Sequence, residues 1–302
     1  MNATPLPVGD VSAKIARLFV YPVKSCAGIE VQQAVLTPTG LELDRAWMVV
    51  DAQGEFVTQR QLPRLALVRP ELTSHELVLR APGRPALHIA LDALAHPARV
   101  KVWDDVVPAY DMGDRAALWF TDFLLGVEGG ASPAQAPRYR LVRFDPAHRR
   151  VSSLTWTGGV EALNQFSDGY PVLVIGEGSL AQLNDALLAA GHDAVGMERF
   201  RPNLVLSGLQ AHDEDRLDVL HIDAGTAQVL LKPVKPCPRC PIPNIDPLTA
   251  VSSPAVGDTL QVYRQDARVG GAVTFGMNVI VMAGVGAVLR VGQALWADID
   301  FG

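Results

Sequence analysis

Two cysteines separated by two residues, Cys237 and Cys240, are the most unusual chemical feature of this sequence. They lie in Lys232–Ala250, a segment that contains six prolines. Because each proline fixes φ and lacks an N–H donor, neither a helix nor a central strand is expected to continue through the segment. The sequence therefore predicts a rigid, solvent-reachable loop that presents two thiols and Arg239.

Several kinds of chemistry are compatible with such a thiol pair. Zinc needs four ligands, whereas the sequence adds only Cys26 and seven histidines without ligand spacing. A redox dithiol needs its first cysteine at a helix N-terminus, and Pro241 and Pro243 would interrupt that helix. A single thiolate beside Arg239 could face a soft metal, or the thiols could be incidental to a stiff loop. The residues alone leave these last two interpretations open.

The elements expected to position this segment are mostly short strands. The predicted strands are Ile15–Val20, Ala46–Val50, Leu65–Val68, Leu77–Leu79, Leu87–Leu91, Tyr139–Phe144, Val172–Ile175, Leu204–Leu206, Gln228–Lys232, Thr259–Tyr263 and Met277–Met282. Helical spacing predicts two main helices, Asp114–Leu125, ended by Gly126, and Ser179–Gly191, begun by a Ser179–Gln182 capping box. This order predicts a strand-rich α+β fold with barrel-like sheets.

Composition limits the classes of function. The chain has 302 residues, 49% of them hydrophobic, and a net charge of −6, which argues against a general binder of nucleic acid or acidic membranes. The longest apolar run, Val279–Leu289, is too short to span a bilayer. No secretion signal is visible, and three cysteines cannot form a disulfide scaffold. We therefore expect a soluble, cytoplasmic protein.

A stretch of small residues and prolines at 126–137 is the best candidate for a linker. It predicts a β-rich N-terminal domain, residues 1–137, and a C-terminal domain, residues 138–302. At roughly 150 residues per domain, the length agrees with two units.

Five strings of residues together resemble one known family. They are Tyr21–Cys26, Leu43–Trp47, Phe166–Asp168, Phe200–Asn203 and the cysteine segment Cys237–Thr249. In this order they resemble the MOSC-domain family, in the branch of the mitochondrial amidoxime-reducing component and its bacterial relatives. The resemblance extends from about residue 15 to the C-terminus. It implies a MOSC-type β-barrel with an N-terminal β-rich subdomain, whose first strands can pack with the C-terminal barrel.

The sequence departs from the family pattern at two places. Ala250 stands where a glycine usually ends the Asp-Pro-x-Thr string, and Gly169-Tyr170 stands where this branch often has small hydroxyl residues. The first departure concerns a turn, and the second concerns hydrogen bonds to a cofactor.

The resemblance implies a molybdenum ion held by the dithiolene of a phosphate-bearing pyranopterin. Cys240 matches the family's metal-binding cysteine and Cys237 does not. Asp168 either forms a turn or approaches the metal or pterin as a second catalytic residue, while Asp246 is expected to set the turn that aims Cys240. The remaining expected cofactor contacts are Lys24, Ser25, Arg45, Gly169, Tyr170, Arg201, Asn203, Pro238 and Arg239.

The implied reaction is the reduction of N-hydroxylated compounds, such as amidoximes and N-hydroxylated bases, by oxygen-atom transfer at the cysteine-bound metal. With no flavin, haem or iron–sulfur motif in the sequence, the electrons are expected to come from a separate reductase. Two alternatives stay open: a sulfur carrier with a persulfide on Cys240 or Cys237, and a module that stores or delivers the molybdenum cofactor.

Overall fold

The computed structural model describes residues 9–126, 138–225 and 227–300, in which strands outnumber helices. The helices are α1 (Asp114–Leu125), α2 (Glu177–Ala189) and α3 (Ala255–Tyr263). In chain order the strands are β1 (Val11–Val20), β2 (Ile29–Val31), β3 (Gln33–Thr37), β4 (Gly40–Leu41), β5 (Trp47–Asp51), β6 (Arg69–Leu72), β7 (Glu76–Arg80), β8 (Leu87–Ala90), β9 (His96–Val102), β10 (Asp105–Asp111), β11 (Tyr139–Phe144), β12 (Arg150–Val151), β13 (Leu163–Asn164), β14 (Val172–Gly176), β15 (Leu204–Ser207), β16 (Leu220–Asp223), β17 (Gln228–Pro238), β18 (Gln265–Asp266), β19 (Ala272–Ala283), β20 (Val288–Arg290) and β21 (Ala294–Ala297). The predicted strand-rich α+β class is confirmed.

Seven strands close into a β-barrel in the order β14-β15-β1-β21-β16-β17-β19, and β19 returns to pair with β14. Side chains alternate between two apolar clusters along these strands, as the two-residue period of a strand requires. In β14, Val172 and Val174 join one cluster, whereas Leu173 and Ile175 join the other, against which Leu183 of α2 packs. The barrel places β1 beside β21, the first and last strands of the described residues.

The N-terminal half adds a four-stranded sheet, β5-β11-β10-β9, and a three-stranded sheet, β6-β7-β8. Helix α1 packs between them through Trp119, Phe120 and Phe123, which recur at the predicted helical spacing. Gly126 ends α1 with φ of +69°, also as predicted. Apart from Gly126, the candidate linker lies outside the described residues, and the division after residue 137 stays a prediction.

Three predicted strands or boundaries are wrong. Thr259–Tyr263 belongs to the third helix, α3, because Val256 and Leu260 are buried four residues apart, the spacing of one helix face. Leu65–Val68 is mostly a 3₁₀ turn that begins at Pro63. The predicted capping box of α2 is absent, since Gly176 precedes the helix and Ser179 instead donates its hydroxyl to Glu214 at 2.6 Å.

The proline segment also differs from its prediction, because β17 continues to Pro238 and pairs with β19. The other neighbour, β16, pairs only as far as Leu231. Pro233, Pro236 and Pro238 therefore lie where one side of the strand has no partner strand, and two register shifts interrupt the pairing with β19 there. Edges and bulges are the places where a sheet tolerates proline. The chain leaves the barrel only after Pro238.

None of the helices in the described ranges combines the length and the apolar character needed to cross a bilayer.

Candidate functional site

One cavity of about 410 Å³ is lined by all eleven residues that the sequence predicts for the site. They reach it from both halves of the chain. The segment after β1 supplies Lys24 and Ser25, and the approach to β5 supplies Arg45. The structure therefore brings the predicted residues together, while their contacts with a cofactor stay a prediction.

Lys24 is a buried cation whose ammonium faces the cavity's one carboxylate. Its Nζ donates to the carbonyl of Phe166 at 2.6 Å and to Oδ1 of Asp168 at 2.6 Å. Burial lowers the pKa of Lys24, and Asp168 opposes that change. Because Lys24 and Arg45 lie beside it, the pKa of Asp168 is held well below its usual range. The side chain of Asp168 is 76% exposed, so this ionised carboxylate is accessible.

Arg45 and Arg201 both lie over the ring of Tyr21, each 4.4 Å from its centroid. Arg45 Nη2 donates to the carbonyl of Arg201 at 3.0 Å, and its Nη1 pairs with Asp44 at 2.5 Å. Arg201 Nη1 donates to the carbonyl of Cys26 at 2.5 Å. Burial, then the proximity of Arg45, lowers the pKa of Arg201. Two guanidinium groups are thus held side by side on one aromatic ring.

Asn203 fixes the strands beneath the cavity. It is buried, its Oδ1 accepts from the backbone N–H of Leu173 at 3.1 Å, and its Nδ2 donates to the carbonyl of Phe19 at 3.2 Å. These bonds join the ends of β1 and β14. Both polar atoms of the amide therefore already have partners.

The cysteine segment reaches the cavity at the end of β17. Arg239 donates its backbone N–H to the carbonyl of Val273 at 2.8 Å, Nη2 to the carbonyl of Phe200 at 2.9 Å and Nη1 to Sγ of Cys237 at 3.2 Å. Its Nε is buried without a partner among the described residues. Cys240 follows as a free, half-buried thiol.

A tight turn follows the cysteines. Oδ1 of Asp246 accepts the backbone N–H groups of Leu248 at 2.8 Å and Thr249 at 3.0 Å, which agrees with its predicted turn-setting role. Ala250 has φ of +60°, a conformation that favours glycine, at the position where the family usually has glycine.

Gly169 and Tyr170 form the part of the wall where the sequence departs from the family. A Cβ added to Gly169 would meet nothing within 4 Å, so open space lies where the family often has a hydroxyl side chain. Burial raises the pKa of the Tyr170 phenol to about 12, so the phenol stays protonated well above neutral pH. The Tyr170 ring adds bulk and Gly169 leaves open space, so this part of the wall differs in shape from one lined by two small hydroxyl residues.

Backbone strain concentrates at the cavity. Seven non-glycine residues in the described ranges have positive φ, and four of them line this wall: Ser25, Arg45, Trp103 and Arg201, at 65°, 51°, 55° and 59°. Such conformations cost on the order of 1–3 kcal/mol each and typically occur at functional sites.

Positive charge dominates the lining. Six basic side chains face one carboxylate, and each cation lies near an aromatic ring rather than a cluster of acids. The pairs are Lys24 with Phe56 at 5.3 Å, Arg45 and Arg201 with Tyr21 at 4.4 Å, Arg60 with Trp103 at 4.9 Å, Lys235 with Trp156 at 4.9 Å and Arg239 with Phe200 at 5.5 Å. Of these six cations, only Lys24 and Arg45 form an ion pair with a carboxylate of the described residues. The cavity is therefore suited to an anion.

Sequence reasoning missed Arg60, Trp103 and Lys235, which all line the cavity. Arg60 and Trp103 lie outside the family-like strings, so no sequence signal marked them. Lys235 could have been found: it precedes Cys237 by two residues, and on a strand such residues share a face. The prediction of a loop there removed that signal.

Two family models match the chain. The MOSC N-terminal beta barrel domain matches residues 12–126, and the MOSC domain matches residues 162–295.

Curated proteins of similar sequence carry related names. "Mitochondrial amidoxime reducing component 2" of Rattus norvegicus is 34% identical over 265 residues, which cover 83% of this chain and 72% of that protein. "Mitochondrial amidoxime-reducing component 1" of Homo sapiens is 34% identical over 262 residues, with the same coverage. "Molybdenum cofactor sulfurase" of Bos taurus is 28% identical over 286 residues, which cover 87% of this chain and 30% of the sulfurase.

Proposed function

Because this chain belongs to the MOSC-domain family, in the branch of the mitochondrial amidoxime-reducing components, we propose that it is a molybdenum-cofactor oxidoreductase acting on N-hydroxylated compounds. One observation carries the proposal: a free thiol, Cys240, and six cations line the same cavity. A soft metal prefers a thiolate, and an anionic pterin phosphate needs cations.

The residues present fit this cofactor. No group of three or more His, Cys, Asp or Glu side chains that could hold a metal occurs in the described ranges, so a metal at Cys240 needs ligands from outside the chain, such as a dithiolene. Arg239 offers a buried Nε that has no partner in the part of the chain that the structure describes. Cys240 would ligate the metal, and Lys24, Arg45 and Arg201 would bind the phosphate and pterin. When bound, the cofactor would supply two-electron oxygen-atom transfer.

Asp168 is the chain's best candidate for orienting a substrate. Lys24 and Trp103 both donate to its Oδ1, which leaves Oδ2 without a partner among the described residues. Since Lys24 and Arg45 keep the pKa of this carboxyl low, it would stay ionised at neutral pH and accept a hydrogen bond rather than donate a proton. An amidoxime N–H group is a suitable donor. Electrons would come from a separate reductase.

The decisive experiment combines metal analysis with turnover. Purified protein should contain about one molybdenum per chain and reduce benzamidoxime with an artificial electron donor. Cys240→Ala should abolish reduction, whereas Cys26→Ala should retain it, because burial raises the pKa of the Cys26 thiol to about 12 and it does not line the cavity. Normal reduction by Cys240→Ala would remove that thiol from the mechanism.

A sulfur carrier is the second candidate, and Cys237 is the observation in its favour. Arg239 Nη1 lies 3.2 Å from Sγ of Cys237 and would stabilise a negatively charged persulfide. Burial raises the pKa of this thiol and Arg239 opposes that change. Persulfide without molybdenum in the purified protein would favour sulfur transfer. Molybdenum without turnover would favour cofactor storage or delivery.

A further inference from the structure

Trp103 is an aromatic side chain at the tip of the β9–β10 hairpin, where it lines the cavity. It is 38% exposed. Among the large apolar residues classed as exposed in the described ranges, it alone belongs to the cavity wall. Trp103 therefore offers the most exposed large apolar side chain of a wall that also holds six cations.

The indole is held in place by three neighbours. The guanidinium of Arg60 lies 4.9 Å from its ring, the ring of Phe56 lies 5.1 Å away, and its Nε1 donates to Oδ1 of Asp168 at 3.3 Å. Its φ of +55° is the left-handed conformation that the first residue of a two-residue hairpin turn adopts. The short turn and the three side-chain contacts together make the indole a positioned group rather than a mobile hairpin tip.

The hydrogen bond to Asp168 places an apolar surface beside a free acceptor. Asp168 keeps Oδ2 unpartnered among the described residues, next to the indole that binds its other oxygen. A ligand that complements both groups has planar N–H donors joined to a flat apolar substituent. An aromatic amidoxime has this chemistry, whereas a small aliphatic amidoxime satisfies the carboxylate alone.

We propose that Trp103 is the specificity-determining residue of the site, selecting N-hydroxylated substrates that carry an aromatic group. This inference rests on the proposed function. It adds that the substituent packs on the Trp103 indole while the amidoxime N–H groups reach Asp168.

The test measures binding without turnover. Benzamidoxime and acetamidoxime are titrated calorimetrically into the oxidised holoenzyme in the absence of an electron donor. Wild-type protein should bind benzamidoxime about tenfold more tightly than acetamidoxime, which is the effect of burying one ring on an aromatic surface. Trp103→Ala should weaken the binding of benzamidoxime about tenfold and the binding of acetamidoxime less than twofold. Trp103→Phe should keep most of the preference.

Trp296→Ala is the matched control, because Trp296 stacks on His221 and does not line the cavity. It should leave both affinities unchanged, and circular dichroism and molybdenum content should show that every variant is folded and loaded. An unchanged preference in Trp103→Ala, or equal weakening of both ligands, would overturn the inference while reduction of amidoximes continued. Wild-type holoenzyme that neither binds nor reduces either compound would overturn the proposed function as well.

Discussion

The ion pair between Lys24 and Asp168 joins an inaccessible cation to an accessible anion. Lys24 is 5% exposed, so its charge depends on the carboxylate 2.6 Å away. Removing the partner of a buried charge costs more than the pair gains, because the remaining ion stays desolvated. Asp168 is solvated, so removal of Lys24 would cost the carboxylate less free energy. The pair therefore acts mainly by keeping Lys24 charged inside the cavity.

Asp168→Asn should lower the free energy of unfolding by about 1–2 kcal/mol at pH 7, a range reduced for the exposure of Asp168. The pKa of Asp168 is lower in the folded than in the unfolded protein, so its stabilisation is complete above about pH 4 and is lost as the pH falls further. Urea unfolding at pH 7 and pH 3 should show the variant losing less stability than wild type.

Asp218→Asn provides the control, because Asp218 is exposed and pairs with a half-buried Lys232 at 3.6 Å. Its effect should stay below about 0.5 kcal/mol at either pH. If the difference in the free energy of unfolding between Asp168→Asn and wild type were the same at pH 7 and pH 3, Lys24 would not be what lowers the pKa of Asp168.

At the scale of elements, Arg150 of β12 connects two parts of the cavity wall. This buried side chain donates from Nε to the β9–β10 hairpin and from Nη1 to the loop that precedes Asp168. The acceptors are Oδ2 of Asp105 at 2.7 Å, Oδ1 of Asn164 at 2.6 Å and the carbonyls of Gln165 and Ser167, both at 2.7 Å. One guanidinium therefore fixes the indole and the carboxylate of the wall relative to each other.

Arg150→Lys should destabilise the protein by about 2 kcal/mol, because an ammonium cannot satisfy four acceptors arranged around a planar fork. Hydrogen exchange should become faster in residues 164–168 while the barrel strands stay protected. Arg149→Lys is the control, since Arg149 forms an exposed pair with Glu161. Equal exchange in both variants would contradict the positioning role.

The turn after the cysteines supplies a second prediction for an element. Replacing Ala250 by glycine should raise the free energy of unfolding by about 0.5–1 kcal/mol, because a left-handed alanine costs about 1–2 kcal/mol and glycine is entropically less favourable. Ala181→Gly, at an exposed position of helix α2, should change stability by about 1 kcal/mol in the opposite direction. Thermal unfolding measures both. A loss of stability in Ala250→Gly would show that the left-handed conformation of Ala250 is not strained.

Elements were predictable where the sequence pattern was long or strongly marked. The twelve-residue spacing of Asp114–Leu125 gave the bounds of α1 correctly. Five residues of alternating polarity in Thr259–Tyr263 matched a strand by chance, whereas the burial that decides the helix begins at Val256. The prolines of β17 were misleading because the sequence does not reveal which side of a strand lacks a partner.

At the scale of the whole molecule, charge is strongly segregated. A chain with a net charge of −6 places six cations and one carboxylate around a single cavity. The resemblance predicted the residues that lie in family-like strings, and they do share the cavity. Arg60 and Trp103 were not predictable, because tertiary packing alone carries their segments to it.

This segregation predicts anion binding by the cofactor-free protein. Inorganic pyrophosphate should bind, with an affinity that falls as salt rises. Arg201→Gln should weaken binding about tenfold, and the exposed Arg60→Gln about threefold without affecting the fold. Calorimetric titration measures these affinities. Arg17→Gln, which removes a surface pair with Glu30, should change nothing, and equal affinity in all variants would place the anion elsewhere.

The pairing of β1 with β21 has a consequence for biosynthesis. Val11 lies opposite Ala297, so one edge of β1 stays unpaired until β21, far along the sequence, has left the ribosome. Lys24 and Ser25 follow that strand directly, and their final positions depend on the same late closure. The barrel beside the cavity can therefore close only after β21 has been synthesised, and until then a nascent chain would require protection of the open edge of β1 from aggregation.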